Sequence, residues 1–272
     1  MAEEIIAVAI EAARRGGEVL ERYFGDVTLV AEDKAQNDYV SRADRESEDA
    51  VVGAIRSAFP GHTVLGEEGG ESVGEASSEY RWIVDPLDGT TNFLRGVPYF
   101  CVSIACQRRG ETVAGVVLDP IRDDLFVASR GGGASRNGEP IQVREQALKG
   151  AFLATGFPFK AHPALETYLA IFRDLFLETR AIRRCGAAAL DLAYTARGVY
   201  DGFFEFRLQP WDLAAGALLI EEAGGAVSDL DGGDAYVDGG SLLAGTPEVV
   251  DGLRSVVARH TSEAHLESLF RT

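Results

Sequence analysis

The sequence predicts a fold of the α/β or α+β class, in which helices and strands alternate in layers around a mixed sheet. Three observations lead to this prediction: two helical patterns near the N-terminus, a strand-rich stretch over 80–155, and alternating helices and strands after it. No linker, repeat or low-complexity tract divides the 272 residues. We therefore predict a single domain over 1–272, with an N-terminal part over 1–150 and a C-terminal part over 151–272.

Two helices and a short strand open the predicted order of elements. Over 3–24, apolar side chains recur on one helical face. They are Ile6, Ile10, Ala13, Leu20 and Phe24. The run ADRESEDAVVGAIRSA, 43–58, is predicted as the second helix, which Pro60 and Gly61 end. HTVLGEEGG is predicted as a short strand that runs into a glycine-rich loop.

Strands then dominate the middle of the chain. RWIVDP is predicted as a buried strand that stops at Pro86, because proline lacks a backbone donor. VPYFCVSIACQ, ETVAGVVLDP and DLFVASRG are further apolar runs bounded by Gly, Pro or Asp. The pair Asn137-Gly138 predicts a tight hairpin.

The C-terminal part returns to alternating elements. Helices are predicted over 165–176 and over CGAAALDLAYTARG, and DGFFEFRLQPWD is predicted as a strand that ends at Pro210. DLAAGALLIEEAGG is predicted as a helix with Asp212 as its N-cap and Gly224-Gly225 at its end.

The charge of the chain limits its partners. Lys and Arg number 26 and Asp and Glu 43, which gives a net charge of −17. Nucleic acid and anionic membranes are therefore not expected as partners, because both attract basic surfaces. An anionic ligand would need a local source of positive charge, such as a metal ion or a helix N-terminus.

Cysteine usage and the N-terminus point to the cytoplasm. Cys101, Cys106 and Cys185 form no disulfide framework, and the first two lie in an apolar run typical of buried thiols. The N-terminus, MAEEIIAVAI, has acids where a signal peptide has positive charge. No apolar run is long enough for a transmembrane helix.

The segment WIVDPLDGTTNF, 82–93, is the most informative about chemistry. Asp85 and Asp88 lie three residues apart on a turn, where two carboxylates can converge on one hard cation. The N–H groups of Gly89, Thr90 and Thr91 are then placed to receive a phosphate oxygen. The alternative interpretation is a strand-to-helix turn in which Asp and Thr only cap the backbone.

Further acids are candidates with ordinary alternatives. Glu67, beside Glu68 in a glycine-rich loop, could belong to a solvated surface, and Asp44 and Asp212 could be helix caps. The scattered histidines and the cysteines lack the spacing of zinc ligands. A metal site here must therefore be built from oxygens, which favours Mg²⁺, Mn²⁺ or Ca²⁺.

Taken together, GEEGG, WIVDPLDGTTNF and PWDLAAGALLIEEAGG resemble the inositol monophosphatase family of Mg²⁺-dependent, Li⁺-sensitive phosphatases. The resemblance extends from KAQNDYVSRAD to the helix after Asp212, with Ser41 where many relatives have Thr. It implies an αβαβα sandwich of the inositol monophosphatase and fructose-1,6-bisphosphatase type, usually a homodimer. It also implies two or three Mg²⁺ ions per site, with Mn²⁺ as a possible substitute.

The same resemblance implies roles for individual residues. Metal ligands are expected at Glu67, Asp85, the carbonyl of Leu87, Asp88 and Asp212. Thr90 and its partner Asp44 are expected to orient the attacking water. Substrate contacts are expected at Asp88, Gly89, Thr90, Thr91, Gly186, Ala188, Glu205 and Asp212.

The expected function is hydrolysis of a phosphate monoester, most specifically inositol 1-phosphate. A carboxylate at Glu205 suits a polyol, whose hydroxyls are hydrogen-bond donors, although Arg207 leaves a second anionic group conceivable. Fructose 1,6-bisphosphate, histidinol phosphate and nucleotide 3′-phosphates are alternative substrates on the same fold. A non-catalytic binding protein is a further alternative, whereas a haloacid-dehalogenase-type phosphatase is disfavoured because Asp85 and Asp88 are three apart, not two.

Overall fold

Two sheets lie between three layers of helices. The computed structural model describes residues 2–26, 29, 31–35, 38–75, 78–157 and 164–262. The helices are α1 Ala2–Tyr23, α2 Arg42–Ala58, α3 Thr90–Leu94, α4 Leu165–Glu178, α5 Ala188–Ala196, α6 Pro210–Glu222, α7 Tyr236–Gly239 and α8 Pro247–His260. Within these described ranges, no helix is long and apolar enough to cross a bilayer.

The strands are β1 Ala31–Ala35, β2 Asp38–Ser41, β3 Thr63–Gly66, β4 Gly70–Ser72, β5 Tyr80–Asp88, β6 Cys101–Arg108, β7 Glu111–Asp119, β8 Asp124–Ser129, β9 Gly133–Arg136, β10 Glu139–Pro140, β11 Phe152–Thr155, β12 Ala181–Arg183, β13 Gly202–Glu205, β14 Ala226–Ser228 and β15 Leu242–Gly245. The large sheet has eight strands in the order β10-β9-β8-β7-β6-β5-β3-β4, and it is antiparallel except for the β3–β5 pair. The small sheet has five strands in the order β12-β11-β13-β15-β14, with parallel and antiparallel pairs. β1 and β2 pair separately.

The hydrophobic core has three parts, and these define the layers. One part joins α1 and α2 to the large sheet, and another joins α4 and α8 to the small sheet. The third surrounds α5 and α6, which lie between the two sheets. The expected αβαβα sandwich is therefore confirmed.

The central position of α6 explains its composition. Eight consecutive residues from Leu213 to Ile220 are buried, so this helix has no polar face along that stretch. Strand β5 is likewise buried on both sides, because Ile83 packs towards α6 and Val84 packs towards α1 and α2. The strand and the helix that carry the acids of the two long motifs are thus both enclosed within the fold.

Several predicted elements are confirmed. The helix over 3–24 corresponds to α1 and the helix over 165–176 to α4, and the Asn137-Gly138 turn joins β9 to β10 with φ of 50° and 81°. Cys101 and Cys106 are free and fully buried, as predicted.

Other predictions are wrong at their boundaries. The helix expected over CGAAALDLAYTARG begins only at Ala188 and ends at Ala196. The strand expected over DGFFEFRLQPWD ends at Glu205, because Arg207 adopts a left-handed conformation (φ 62°) and Pro210 starts α6. The helix α8 and strands β14 and β15 were not predicted at all.

Close packing of α6 on the large sheet depends on a glycine. A Cβ on Gly115 of β7 would lie 2.9 Å from the carbonyl oxygen of Ala215 and 3.1 Å from its Cα, which are backbone atoms that cannot move alone. Gly53 of α2, by contrast, has no neighbour within 4 Å of its Cβ position.

We therefore expect Gly115→Ala to lower the free energy of unfolding by about 1–3 kcal/mol, through overpacking. Gly53→Ala, the control, should raise it by about 0.5–1 kcal/mol, because alanine favours the helix. Urea unfolding of both variants measures the difference. A Gly115→Ala protein as stable as the parent would show that α6 and β7 are not in the close contact described.

Candidate metal and phosphate site

The strand β5 continues past Pro86 and delivers two acids at its end. It runs to Asp88 with a β-bulge between Asp85 and Asp88, so the prediction that it stops at Pro86 is wrong. The bulge accommodates a residue without an N–H group, and the hydroxyl of Ser47 donates to the Pro86 carbonyl at 2.9 Å. The amide of Leu87 donates to Asp85 Oδ1 at 2.9 Å, which fixes that carboxylate at the bulge.

Asp44 and Asp212 each occupy the third position of a helix rather than its cap. The N-caps of α2 and α6 are Ser41 and Gln209, and both helices begin with a capping box. The amide of Ser41 donates to Asp44 Oδ2 at 2.9 Å, and the amide of Gln209 donates to Asp212 Oδ2 at 2.7 Å. One oxygen of each acid therefore holds the helix start, and the prediction of Asp212 as an N-cap is corrected.

Asp85, Asp88 and Asp212 come together at the meeting point of β5 and α6. One carboxylate oxygen from each lies within 4.8 Å of the others. Burial raises the pKa of Asp85 well above its usual range, and the charges of Glu67, Asp88 and Asp212 raise it further. Burial also raises the pKa of Asp88 to about 6, against the opposing effect of a hydrogen bond from the Ala189 amide.

This donor set fits a hard divalent cation. Three carboxylates close together in a buried place repel one another, and a cation with oxygen ligands at about 2 Å would offset that repulsion. The carboxylate of Glu67 lies outside the group of three, although its charge acts on both Asp85 and Asp88.

The loop that carries Glu67 packs around the buried side chain of Glu48. The amide of Glu67 donates to the carbonyl of Val84 at 3.1 Å, which ties the loop to β5. The amides of Glu68 and Gly69 donate to the two carboxylate oxygens of Glu48 at 2.9 and 2.6 Å. The adjacent glutamates therefore do not form a fully solvated face.

The turn after Asp88 leads directly into the short helix α3. Gly89 is its N-cap with φ of 96°, and a Cβ there would lie 3.0 Å from the Tyr99 carbonyl oxygen. Glycine is therefore required at this position for both conformation and space. The first N–H groups of a helix have no acceptor within it, so the amides of Thr90 and Thr91 are available to a ligand.

The hydroxyl of Thr90 links this turn to α2. Its Oγ1 lies 3.2 Å from Asp44 Oδ1 and 3.1 Å from the carbonyl oxygen of Leu87. A hydroxyl has one proton, so donation to Asp44 leaves its lone pairs able to accept a hydrogen bond from water. The structure thus brings together the predicted pair of Thr90 and Asp44.

Glu205 lies at the end of β13 in the small sheet. Its carboxylate packs against Gly156, where a Cβ would be 1.8 Å from Oε1. Burial raises the pKa of Glu205, the charges of Asp191 and Asp212 raise it further, and the charge of Arg184 lowers it. Arg184 is thus a cation that acts on this carboxylate.

Ala188 lies beside Asp88, and Gly186 lies beside Asn92. Gly186 has φ of 90°, and the chain there turns into α5. The amide of Ala189 donates to Asp88 Oδ2 at 2.7 Å, and the amide of Ala188 also binds this carboxylate. The N-terminus of α5 therefore faces a metal-ligand candidate, where its partial positive charge stabilises the carboxylate.

Sequence reasoning missed several residues of this site. Glu48, Asp191 and Arg184 carry no local motif, because their role depends on contacts across the fold. Asn92 lies four residues after Asp88 in the same motif and could have been singled out, whereas Cys101 was predicted only as a buried thiol. The thiol of Cys101 lies 3.7 Å from Asp88 Oδ2, and Asn92 binds three carbonyl groups described below.

Comparison with known proteins agrees with this arrangement. The family model of the inositol monophosphatase family matches residues 1–265. The protein called Nus factor SuhB from Pseudomonas aeruginosa is 46% identical over 264 residues, which covers 95% of this chain and 97% of that protein. The Nus factor SuhB of Escherichia coli K12 is 44% identical over 262 residues, covering 96% and 98%.

Solved structures with the same fold include the extragenic suppressor protein suhB from Bartonella henselae. It is 43% identical with a TM-score of 0.91, and the match covers 94% of this chain and 99% of that one. The inositol monophosphatase from Anabaena is 38% identical with a TM-score of 0.83, covering 96% and 98%.

The acidic cluster leads to a test by metal binding. In a chelator we expect Asp85→Asn to be at least as stable as the parent, since one of the repelling charges is gone. With Mg²⁺ at a hundred times its dissociation constant, the parent should gain about 2.7 kcal/mol of stability and the variant much less. Thermal unfolding with and without Mg²⁺ measures both effects.

Asp229→Asn is the matched control. Asp229 is also a buried carboxylate whose pKa is raised by burial and by Asp231, but it lies outside the cluster. This variant should respond to Mg²⁺ as the parent does. An equal Mg²⁺ response in Asp85→Asn would remove Asp85 from the metal site.

Proposed function

The chain belongs to the inositol monophosphatase family, and we propose that it hydrolyses a phosphate monoester, most specifically inositol 1-phosphate, with bound Mg²⁺. The observation that carries this proposal is the convergence of Asp85, Asp88 and Asp212 beside the turn at Gly89. Glu67 and the carbonyl of Leu87 complete the proposed ligand set. Bound metal would neutralise the phosphate dianion and make a water nucleophilic at neutral pH.

The residues of the chain supply positioning around this centre. The amides of Gly89, Thr90 and Thr91 would bind phosphate oxygens at the start of α3. Thr90, with its proton held by Asp44, would accept a hydrogen bond from the attacking water and aim it at phosphorus. Because Asp44 and Asp212 are fixed at helix starts, little reorganisation would accompany the reaction.

The leaving group would contact the wall formed by Gly186, Ala188 and Glu205. A carboxylate accepts hydrogen bonds from hydroxyl groups, so Glu205 favours a polyol ester. Burial raises the pKa of Glu205, and the charge of Arg184 acts in the opposite direction, towards the ionised form that accepts hydrogen bonds. Fructose 1,6-bisphosphate, histidinol phosphate and nucleotide 3′-phosphates remain the alternatives, since the metal residues do not distinguish them.

A binding or regulatory role is the second candidate. The relatives from Pseudomonas aeruginosa and Escherichia coli bear the name Nus factor. With a net charge of −17, we expect such a role to involve a protein surface rather than direct contact with nucleic acid phosphates. Asp85→Asn separates the two roles, because it would abolish hydrolysis and spare a binding surface remote from the cluster.

We propose a cytoplasmic homodimer. The free thiols of the chain suit a reducing compartment. The helix α4 exposes Leu165, Leu169 and Phe176 at helical spacing, next to exposed Phe157, and a second copy could cover this face.

Phosphate release from a panel of esters tests the proposed activity. The panel contains myo-inositol 1-phosphate, fructose 1,6-bisphosphate, histidinol phosphate and adenosine 3′,5′-bisphosphate, with Mg²⁺ present and Asp85→Asn as the blank. We expect the inositol ester to be preferred, Li⁺ to inhibit, and Glu205→Gln to lose that preference while hydrolysing simple esters. Release no faster than the blank from every ester would overturn the catalytic proposal.

The role of Thr90 leads to a separate expectation. Thr90→Ala should lower kcat by about a hundredfold or more and change substrate binding little, because the hydroxyl contacts the water and not the leaving group. Thr90→Ser, which keeps the hydroxyl, should retain most of the activity. An unchanged kcat in Thr90→Ala would exclude Thr90 from water activation.

A further inference from the structure

Two segments meet between the halves of the chain with complementary polar groups. We call residues 88–92 the phosphate turn and residues 185–189 the wall loop. Asp88, at the start of the phosphate turn, accepts a hydrogen bond from the amide of Ala189 at 2.7 Å. Asn92, at its end, donates to the carbonyl of Cys185 at 2.9 Å. The Asp88 carboxylate thus accepts hydrogen bonds from amides of the wall loop, while the side-chain amide of Asn92 donates to carbonyl groups of the same loop.

The side-chain amide of Asn92 has three carbonyl oxygens around its nitrogen. They belong to Tyr99, Cys185 and Gly186, at 2.8, 2.9 and 3.4 Å from Nδ2. All three neighbours are acceptors, so the donor end of the side chain must face them. Asn92 is partly buried, and loss of its donors would leave these carbonyl groups without that partner.

Tyr99 extends the connection into the helix behind the wall loop. Its hydroxyl donates to Asp191 Oδ1 on α5 at 2.6 Å, and it lies 3.5 Å from the hydroxyl of Tyr200. Tyr200 in turn lies 3.4 Å from the thiol of Cys185. The Tyr99 carbonyl bound by Asn92 is therefore part of a residue that is also held through its side chain.

We infer that Asn92 is a positioning residue for the leaving group, because it fixes the wall loop relative to the phosphate turn. This inference rests on the proposed phosphatase function. Asn92 would act through Cys185 and Gly186, whose backbone path includes a left-handed glycine and sets the position of Ala188. Without the amide, the hydrogen bonds from the Ala188 and Ala189 amides to Asp88 would still hold one end of the wall loop, but the end at Cys185 and Gly186 would lose its link to the phosphate turn.

The consequence depends on the ester. An inositol ester uses both the phosphate turn and the wall, so a misplaced wall weakens its binding. A small aryl ester such as p-nitrophenyl phosphate needs only the phosphate turn and the metal. Loss of positioning therefore raises the KM of the first substrate and changes the second little, whereas a loss of overall stability affects both alike.

The test compares Asn92→Ala and the similarly shaped Asn92→Leu with the parent. We expect kcat/KM for myo-inositol 1-phosphate to fall by about tenfold, mainly through KM, and that for p-nitrophenyl phosphate to fall by about threefold or less. Hydrogen exchange of peptides covering the wall loop should become faster in both variants, and this readout does not require activity.

Asn137→Ala is the matched control. Asn137 also bridges two backbone groups, the Leu125 amide at 2.8 Å and the Asp123 carbonyl at 2.9 Å, at the far edge of the large sheet. The Asn137→Ala variant should have a lower free energy of unfolding. The ratio of kcat/KM for the two esters and the hydrogen exchange of the wall loop should stay unchanged.

The outcomes are distinguishable. An equal loss of kcat/KM for both esters, or unchanged hydrogen exchange of the wall loop in the Asn92 variants, would overturn the inference. A parent protein that hydrolyses neither ester would overturn the proposed function. In that case faster exchange of the wall loop would still support the link made by Asn92, and unchanged exchange would refute it.

Discussion

Mutual repulsion among Asp85, Asp88 and Asp212 is the constraint on which the rest of this structure depends. Their oxygens lie within 4.8 Å of one another in a largely buried place, so the fold must hold them together against both desolvation and like charge. It does so with backbone donors: the amides of Leu87, Ala189 and Gln209 each bind one of the three carboxylates. Such a cluster favours a bound cation, because a cation offsets the repulsion among the carboxylates. In the proposed function, that cation would attract a phosphate ester to an otherwise acidic chain.

Two helix starts serve both stability and the candidate site. A capping box places an acid at the third helical position and uses one of its oxygens, which fixes the side chain but leaves the second oxygen for other partners. The two oxygens of Asp44 have different partners: Oδ2 accepts a hydrogen bond from the Ser41 amide, and Oδ1 accepts one from the Thr90 hydroxyl. A capping role of these acids therefore does not exclude the functional role proposed for them.

The layered core explains why the site lies where it does. Helix α6 is enclosed between two sheets, and its N-terminus meets the end of β5. The wall loop reaches the same point from the small sheet, through Asn92 and Asp88. Asp85 and Asp88 come from the large sheet, Asp212 and the wall loop from the starts of the two central helices, and Glu205 from the small sheet, so contacts between layers set the distances among them.

The sequence by itself determined the fold class, the main helices and strands, and the identity of most acids at the site, because periodicity and the two long motifs are local properties. It did not determine where β5 ends, since the bulge that carries Pro86 depends on pairing with β6. It also did not reveal Glu48, Arg184, Asp191 or the bridging role of Asn92, because each acts on residues distant along the chain. Only the tertiary structure decided these, since hydrogen bonds and charges act through space while sequence patterns report neighbours along the backbone.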